Sequence, residues 1–374
     1  MKIGIITIQD NLNYGNRLQN YAVSEILKSY GMETDTIFIN NDEDNFKYIT
    51  SKLKRQIRKN IPSRFLYMNI NFKRRLYGGK LENTRAKEFR TFNKRYISVQ
   101  TYYVNRLEQL SQKKEIQEYD YFFAGSDQIW NPYFAMDEKY FLTFAPPEKR
   151  IAFIASIGVE QIPSEQAKRC AKWLKQMHYI SVREESAVQI VKELTGRDAD
   201  CFFDPVLLLG REEWLKIEEP VPFSIPSHYI LSFFLGREPG EEIKVFADGR
   251  NMDVIHMNQK EYEKYYSLNP AQFLYLIHHA QYILTDSFHV TAFSIIFEKQ
   301  FSVFRRREEG MENMFSRMET LLGRLGLMKR VQDASAMGDL TPISRKQYQD
   351  IEKILLDERV RLDRKMEKIL KSNM

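Results

Sequence analysis

The chain has 374 residues, 56 Lys+Arg against 50 Asp+Glu for a net charge of +6, 43% apolar and 13% aromatic positions, and two cysteines. At roughly 100–200 residues per domain, that is long enough for two compact units, each burying its own core. Scarce glycine, abundant aromatics and only two thiols exclude collagen-like, disordered and disulfide-stapled classes.

In chain order, Ile3–Ile8 is too short an apolar run for a signal peptide and reads as a buried strand. No stretch approaches the roughly 18 uninterrupted apolar residues of a membrane-spanning helix, so a soluble cytoplasmic protein is expected. A helix over Arg17–Ser29, stopped by Gly31, and a strand over Thr34–Ile39 complete one βαβ unit. Further strands are expected at Tyr119–Ala124, Ile151–Ser156 and Tyr179–Val182, with a helix at Ser164–Met177 between the last two. Cys170 and Cys201 lack any metal-ligand spacing, so no metal is expected.

Pro220-Val-Pro-Phe-Ser-Ile-Pro226 reads as a linker. A second series follows: strand His228–Leu235, helix Gly240–Gly249, strand Asp253–Met257, helix Pro270–His279, strand Tyr282–Thr285, helix Phe288–Glu298 and strand Phe301–Phe304. An amphipathic helix over Arg345–Lys371, with Ile351, Leu355, Leu362, Met366 and Ile369 on one face, closes the chain. The fold class predicted is α/β, with two doubly wound, Rossmann-like domains (1–219 and 220–344) facing a cleft and a helical 345–374 segment.

Charge is uneven along the chain. Residues 51–100 hold fifteen Lys/Arg and two acids, a local +13 that leaves −7 for the rest. A basic helical insertion over about 45–100 accounts for this, either as a solvated surface or as one meeting an anionic polymer, lipid headgroups or a lipid-linked substrate. The segment matches no recognised nucleic-acid-binding motif, and no nucleic-acid partner is expected.

Loops at the carboxyl ends of strands carry the candidate chemistry. Thr285-Asp286-Ser287-Phe288-His289 joins a strand to a helix, offering an anion pocket at the helix start, a titratable ring in His289, and Asp286 to orient it; a plain capping role for Asp286 or Ser287 is the alternative. Arg183 follows another strand, where its fork suits a carboxylate or phosphate, or else a surface pair with Glu184 or Glu185. Arg305-Arg306-Arg307 follows a third. Asp10, Asn13, Tyr14, Gly15 and Asn16 form a polar loop of the kind that holds sugar hydroxyls, and Gly15 lets a ligand approach the backbone. Asp127 and Trp130, in Gly125-Ser-Asp-Gln-Ile-Trp-Asn131, add a carboxylate and an aromatic face.

Taken in order, Asn13-Tyr14-Gly15-Asn16, Gly125-Ser126-Asp127-Gln128-Ile129-Trp130-Asn131, Ser181-Val182-Arg183-Glu184, Asp204-Pro205-Val206, Thr285-Asp286-Ser287-Phe288-His289 and Ser316-Arg317 with Leu325-Gly326-Leu327 resemble the polysaccharide pyruvyl transferase family. The resemblance implies a GT-B-like fold, in which the last helix crosses back onto the first domain. It implies transfer of a pyruvyl group from phosphoenolpyruvate, a substrate rather than a cofactor, to two hydroxyls of a sugar in a cell-surface or capsular polysaccharide unit. It assigns acid–base chemistry to His289, donor binding to Arg183, Ser287 and Arg306, with Arg305 or Arg307 as substitutes, and acceptor binding to the first domain, with Asp10 or Asp127 as a second base. A glycan or lipid-linked oligosaccharide is the implied acceptor, and the basic segment is the implied route to peripheral contact with the inner membrane face. The family's Ser-Phe-His-Gly pattern has Gly where this chain has Val290, whose side chain is expected in space the donor phosphate needs. A GT-B-type glycosyltransferase using a nucleotide sugar and a non-catalytic glycan-binding assembly protein remain open alternatives.

Overall fold

The computed structural model describes residues 1–10, 12–41, 79–133, 136–306, 315–333, 337–338 and 340–371. Two parallel sheets organise the chain. The first contains β1 (Lys2–Ile6), β2 (Glu33–Asn41), β3 (Val99–Val104), β4 (Tyr121–Ala124), β5 (Arg150–Ala155), β6 (Tyr179–Val182) and β7 (Asp200–Cys201), in the order β3-β2-β1-β4-β5-β6-β7. The second contains β8 (Tyr229–Phe233), β9 (Asp253–Met257), β10 (Tyr282–Thr285), β11 (Gln300–Phe304) and β12 (Val331–Gln332), in the order β12-β11-β10-β8-β9. The fold is α/β of the GT-B kind, as expected. In each sheet the strand order reverses once, between β1 and β4 and between β8 and β10, and the crevices that form there are where such sheets bind ligands.

The central strands are mostly apolar, with β-branched and aromatic residues predominating, as burial on both faces demands. Gly4 in β1 is required sterically: a Cβ there would lie 2.6 Å from Ile37 Cδ1 and 2.8 Å from a Phe122 ring carbon. Three edge strands escaped the sequence pattern. β7 and β12 are two residues long, and β3 is mostly solvent-facing, so none carries the apolar run that marks a central strand.

Helix α1 (Tyr14–Lys28) is buried almost all round, because it lies between the two sheets. One apolar core therefore runs through both halves, from Ile3 and Leu18 to Phe273 and Ile283. Tyr21 packs on Trp214 at 5.5 Å between ring centroids, and Trp214 meets Phe293 edge-on at 4.9 Å.

The expected basic insertion is described only in its later part. Residues 42–78, including Lys52–Lys59 and Lys73–Arg75, lie outside the described residues. Its later part forms α2 (Lys80–Tyr96) and runs directly into β3, so it returns to the first sheet. Two α2 charges meet the second half: buried Arg85 donates to Asn258 Oδ1 at 3.1 Å and to Tyr266 C=O at 3.3 Å, and Glu82 pairs with Lys260 at 2.5 Å, while the exposed Arg95 pairs with Glu219.

The last helix (Arg345–Lys371) starts beside the second sheet and ends against the first. Its Leu362, Met366 and Ile369 are buried. Tyr30 Oη donates to Asp363 at 2.6 Å, Arg359 donates to Ser29 Oγ at 2.7 Å, and Lys365 pairs with Asp200 at 2.7 Å. Among the described residues, no helix is long and apolar enough to cross a membrane.

Candidate active site

The first half supplies a buried charge cluster from three loops. Asn13 caps α1, its side chain accepting from Asn16 N–H at 3.1 Å. Asn16 Nδ2 donates to Asp127 Oδ2 at 2.8 Å, while Asn16 Oδ1 accepts from Asp10 N–H at 2.9 Å. Arg183, only 3% exposed, follows β6 and donates from Nη1 to Asp204 Oδ2 at 2.5 Å. Its Nη2 lies 3.6 Å from Asp127 Oδ1 and its Nε 3.9 Å from Glu184 Oε2. The surface-pair alternative for Arg183 thus fails: it is an interior residue, and Glu184 Oε1 is occupied by Ser156 Oγ and the N–H groups of Ile157 and Gly158.

The electrostatics of this cluster follow from burial and neighbours. Burial alone would raise the Asp127 carboxyl, but Arg183, His289 and two hydrogen bonds outweigh it and hold Asp127 below the ordinary carboxylate range. Burial likewise works against the Arg183 charge, and Asp204, Asp127 and Glu184 more than restore it.

The second half contributes the end of β10 and α3 (Phe288–Ile296). Ser287 caps this helix, its Oγ accepting from Val290 N–H at 3.5 Å. His289 reaches across to the first half, and the absence of a side chain on Gly15 makes room for its ring: a Cβ there would lie 2.1 Å from His289 Nδ1. His289 Nε2 is out of contact with solvent and has no hydrogen-bond partner among the described residues. Packing around the ring drives its pKa down to about 4; Asp204 and Asp127 oppose this and Arg183 and Arg317 reinforce it. The ring is therefore neutral at pH 7.

Several expected site residues have other roles. Tyr14 is 1% exposed, stacked on Phe273 at 4.4 Å, and donates to Leu268 C=O at 2.9 Å; it joins the halves and faces no sugar. Trp130 is fully buried, stacked on Phe141 at 5.1 Å with its Nε1 donating to Tyr140 C=O, so it offers no free aromatic face. Gly15 admits the His289 ring where a ligand was expected. Asp286 does not orient that ring: its oxygens accept from the N–H groups of Leu235 and Gly236 at 2.7 and 2.8 Å, and Arg306 Nε lies 3.4 Å away. Arg305 turns outward to Glu319 at 2.7 Å, leaving Arg306 as the inward member; Arg307 lies outside the described residues. Val290 is fully buried in the apolar core, so its side chain packs inward and leaves the cleft clear.

Other residues enter that local sequence did not single out. Asp204 fixes Arg183 and caps the next short helix through Val206 N–H at 2.9 Å. Arg317, on α4 (Ser316–Arg324), is 7% exposed, and its guanidinium meets the Gln128 amide from the first half. Burial and the neighbouring Arg183 lower its pKa to about 9. Arg17 is fully buried, with Nη2 on Ile8 C=O at 2.8 Å and Nη1 without a partner among the described residues. The signal for Asp204 and Arg317 lay in partners 21 and 189 residues away, which no local window contains. Away from the cleft, Glu218, His278 and His279 bring three donor atoms within 4.8 Å of one another. Arg211 stands 3.5 Å from the second His278 nitrogen, a cation that disfavours a metal there.

Two doubly wound halves with a histidine, a carboxylate and several arginines converging at the carboxyl ends of their strands define a GT-B-type protein whose cleft suits an anionic ligand. Residues 13–307 match the model of the family described as polysaccharide pyruvyl transferase, and the chain belongs to that family. No curated protein matches the chain at a significant level. Among solved structures the chain is similar to S. aureus MnaA with UDP, at 12% identity over 96% of this chain and 88% of that one, TM-score 0.47. It is also similar to UDP-GlcNAc 2-epimerase from Neisseria meningitidis (13%, 96% and 100%, TM-score 0.45) and to MurG from Acinetobacter baumannii (8%, 96% and 91%, TM-score 0.43).

Proposed function

We propose that this chain transfers a pyruvyl group from phosphoenolpyruvate to two hydroxyls of a glycan or lipid-linked oligosaccharide, forming a pyruvate ketal and releasing phosphate. The observation that carries the reading is the meeting of neutral His289 from one half with Arg183 and ionised Asp127 from the other, with His289 Nε2 and the Arg183 Nε and Nη2 atoms buried and unpartnered among the described residues.

The chemistry sets the roles. The donor carries a carboxylate and a phosphate, which Arg183, Arg306 and the N–H groups at the start of α3 would hold. Addition of the first hydroxyl across the carbon–carbon double bond forms a C–O bond and moves one proton to the methylene carbon, which becomes methyl. His289, neutral and with Nε2 free, is suited to take that hydroxyl proton and pass it to the methylene. Attack by the second hydroxyl then breaks the carbon–oxygen bond to phosphate. Its proton goes to Asp127 or to the departing phosphate, whose charge the arginines stabilise. The low proton affinity of His289 makes it a base first and an acid only after it has accepted that proton. Peripheral contact with a membrane through the basic residues of segment 51–100 belongs to the same reading, since it would hold a lipid-linked acceptor near the cleft.

Incubation with phosphoenolpyruvate and galactosyl or mannosyl acceptors, soluble and lipid-linked, tests this. Acceptor-dependent phosphate release is the expected result. No release with any acceptor, together with no phosphoenolpyruvate binding by calorimetry, overturns it.

A further inference from the structure

We propose that Arg317 is a second anion anchor of the cleft, taking one oxyanion group of a small dianionic ligand while Arg183 takes the other, with the Phe288 ring packed against both guanidiniums.

Charge balance is the first argument. Arg183 has Asp204 at 2.5 Å and Asp127 at 3.6 Å, and Arg306 has Asp286 at 3.4 Å. Arg317 is 7% exposed, between Arg183 at 3% and Arg306 with its 22% exposed side chain, and it forms no direct ion pair with a described carboxylate, Glu184 and Asp127 acting on it only at longer range. Its Nη atoms face only the neutral Gln128 amide, at 2.9 and 2.5 Å once the amide oxygen is turned toward the guanidinium, which has donors only. A buried cation whose counter-charges act only at a distance, and which two other arginines oppose, is under-compensated, so an anion in direct contact with it relieves that deficit.

Geometry is the second argument. Arg317 Nε and Arg183 Nε and Nη2 are buried without an acceptor, and His289 Nε2 is buried without any hydrogen-bond partner, among the described residues. The three side chains surround one ring: Arg183 Cζ lies 5.0 Å and Arg317 Cζ 5.5 Å from the Phe288 centroid, and the His289 ring is centred 5.4 Å away. Three unsatisfied guanidinium donors on two side chains around one aromatic platform suit a ligand with several oxyanion oxygens, and planar guanidinium forks bind such groups in pairs. The anchor also joins the two halves. Arg317 rides on the second half and Gln128 on the first, so an anion at Arg317 completes a contact across the cleft.

The inference rests on the transfer reading only for the identity of the dianion; oxyanion binding at Arg317 stands by itself. Calorimetry with inorganic phosphate, and separately with phosphoenolpyruvate, on the wild type, Arg317→Gln, Arg317→Lys and the outward control Arg305→Gln decides it. Arg317→Gln is expected to lose about thirtyfold or more in phosphate affinity, the scale of a charged hydrogen-bonded pair. Arg317→Lys should lose about tenfold, keeping the charge without the fork, and Arg305→Gln should be unchanged. Phosphate should also raise the urea midpoint of the wild type but not of Arg317→Gln, a linkage that a purely structural arginine would not produce. Phosphate binding within about threefold of wild type in folded Arg317→Gln overturns the proposal. If the glutamine variant does not fold, wild-type affinity in Arg317→Lys does so as well. Arg317-dependent phosphate binding without acceptor-dependent release from phosphoenolpyruvate leaves the anchor standing and fails the transfer reading. Turnover with an unchanged phosphoenolpyruvate KM in Arg317→Gln does the opposite.

Discussion

The His289 ring occupies the space that a side chain on Gly15 would fill, with Nδ1 2.1 Å from the Cβ position. Gly15 sits in the first turn of α1 and His289 in the first turn of α3, so two helix starts from different halves meet at a single missing methyl group. Gly15→Ala should improve local helix propensity by about 1 kcal/mol and yet displace His289. The expected outcome is a melting temperature within a few degrees of wild type with phosphate release reduced about a hundredfold, since a misplacement of about 1 Å at a reacting group costs that much. Undiminished turnover in Gly15→Ala would show that His289 need not sit where it does.

The lowered proton affinity of His289 gives stability a definite pH dependence. Its folded pKa, about 4, lies below the ordinary 6.5, so between these values the unfolded chain binds a proton that the native ring refuses. Stability should therefore fall as pH drops from about 6.5 to 4, by at most about 3 kcal/mol, and by less because part of the ring meets solvent. Asp127, also lowered, contributes only at more acid pH, where its unfolded-state carboxyl protonates. His278 shifts in the same direction as His289, so the test is a difference between proteins. Urea midpoints at pH 7 and pH 5 should differ less for His289→Gln than for wild type, and equal slopes would refute the assignment.

The Arg183–Asp204 contact at 2.5 Å joins two fully buried side chains. Asp204→Asn keeps the shape and the cap on Val206 but leaves a buried guanidinium with only Asp127 and Glu184 as counter-charges. Breaking such a pair typically costs about 3–5 kcal/mol, and the remaining acids place this variant at the lower end. Chemical denaturation should show the loss, and phosphoenolpyruvate affinity should fall along with it.

Tyr14 illustrates what the sequence could and could not disclose. Asn13-Tyr14-Gly15-Asn16, read as a polar loop, is the N-cap and first turn of α1, which lies just past the carboxyl end of the first strand, because parallel strands hand the chain to a helix there whatever their neighbours. Which of its side chains turns inward depends on residues far along the chain: Phe273, Leu268 and His289 decide it for Tyr14 and Gly15. Trp130 is hidden in the same way, by Phe141. The strands Tyr179–Val182 and Tyr282–Thr285, and even the edge strand Asp253–Met257, were legible to the residue, since β-branched and other apolar residues dominate each of these short runs. The exposed edge strand Val99–Val104 was not, for want of such a run. Tyr14→Phe should accordingly cost about 1 kcal/mol of stability through the lost bond to Leu268 and leave the acceptor KM unchanged, whereas a sugar-binding tyrosine would raise it.

The adjacent arginines Arg305 and Arg306 differ only in direction, which makes them a paired test. Arg305 has a side chain 56% exposed and lies over Phe315 with its guanidinium on Glu319, so Arg305→Gln should change stability by less than about 0.5 kcal/mol. Arg306 has a side chain 22% exposed and is drawn against Asp286, which in turn ties down the Leu235–Gly236 turn after β8. It is also close enough to Arg317 to depress that residue's proton affinity, so the two guanidiniums share one patch of field. Arg306→Gln should raise the phosphoenolpyruvate KM about tenfold or more with little change in melting temperature, and the rise should shrink as salt is added, because a partly exposed charge is screened. Parallel kinetics on the two variants across a salt series would check this, and equal effects from both arginines would mean that the inward direction of Arg306 carries no weight in donor binding.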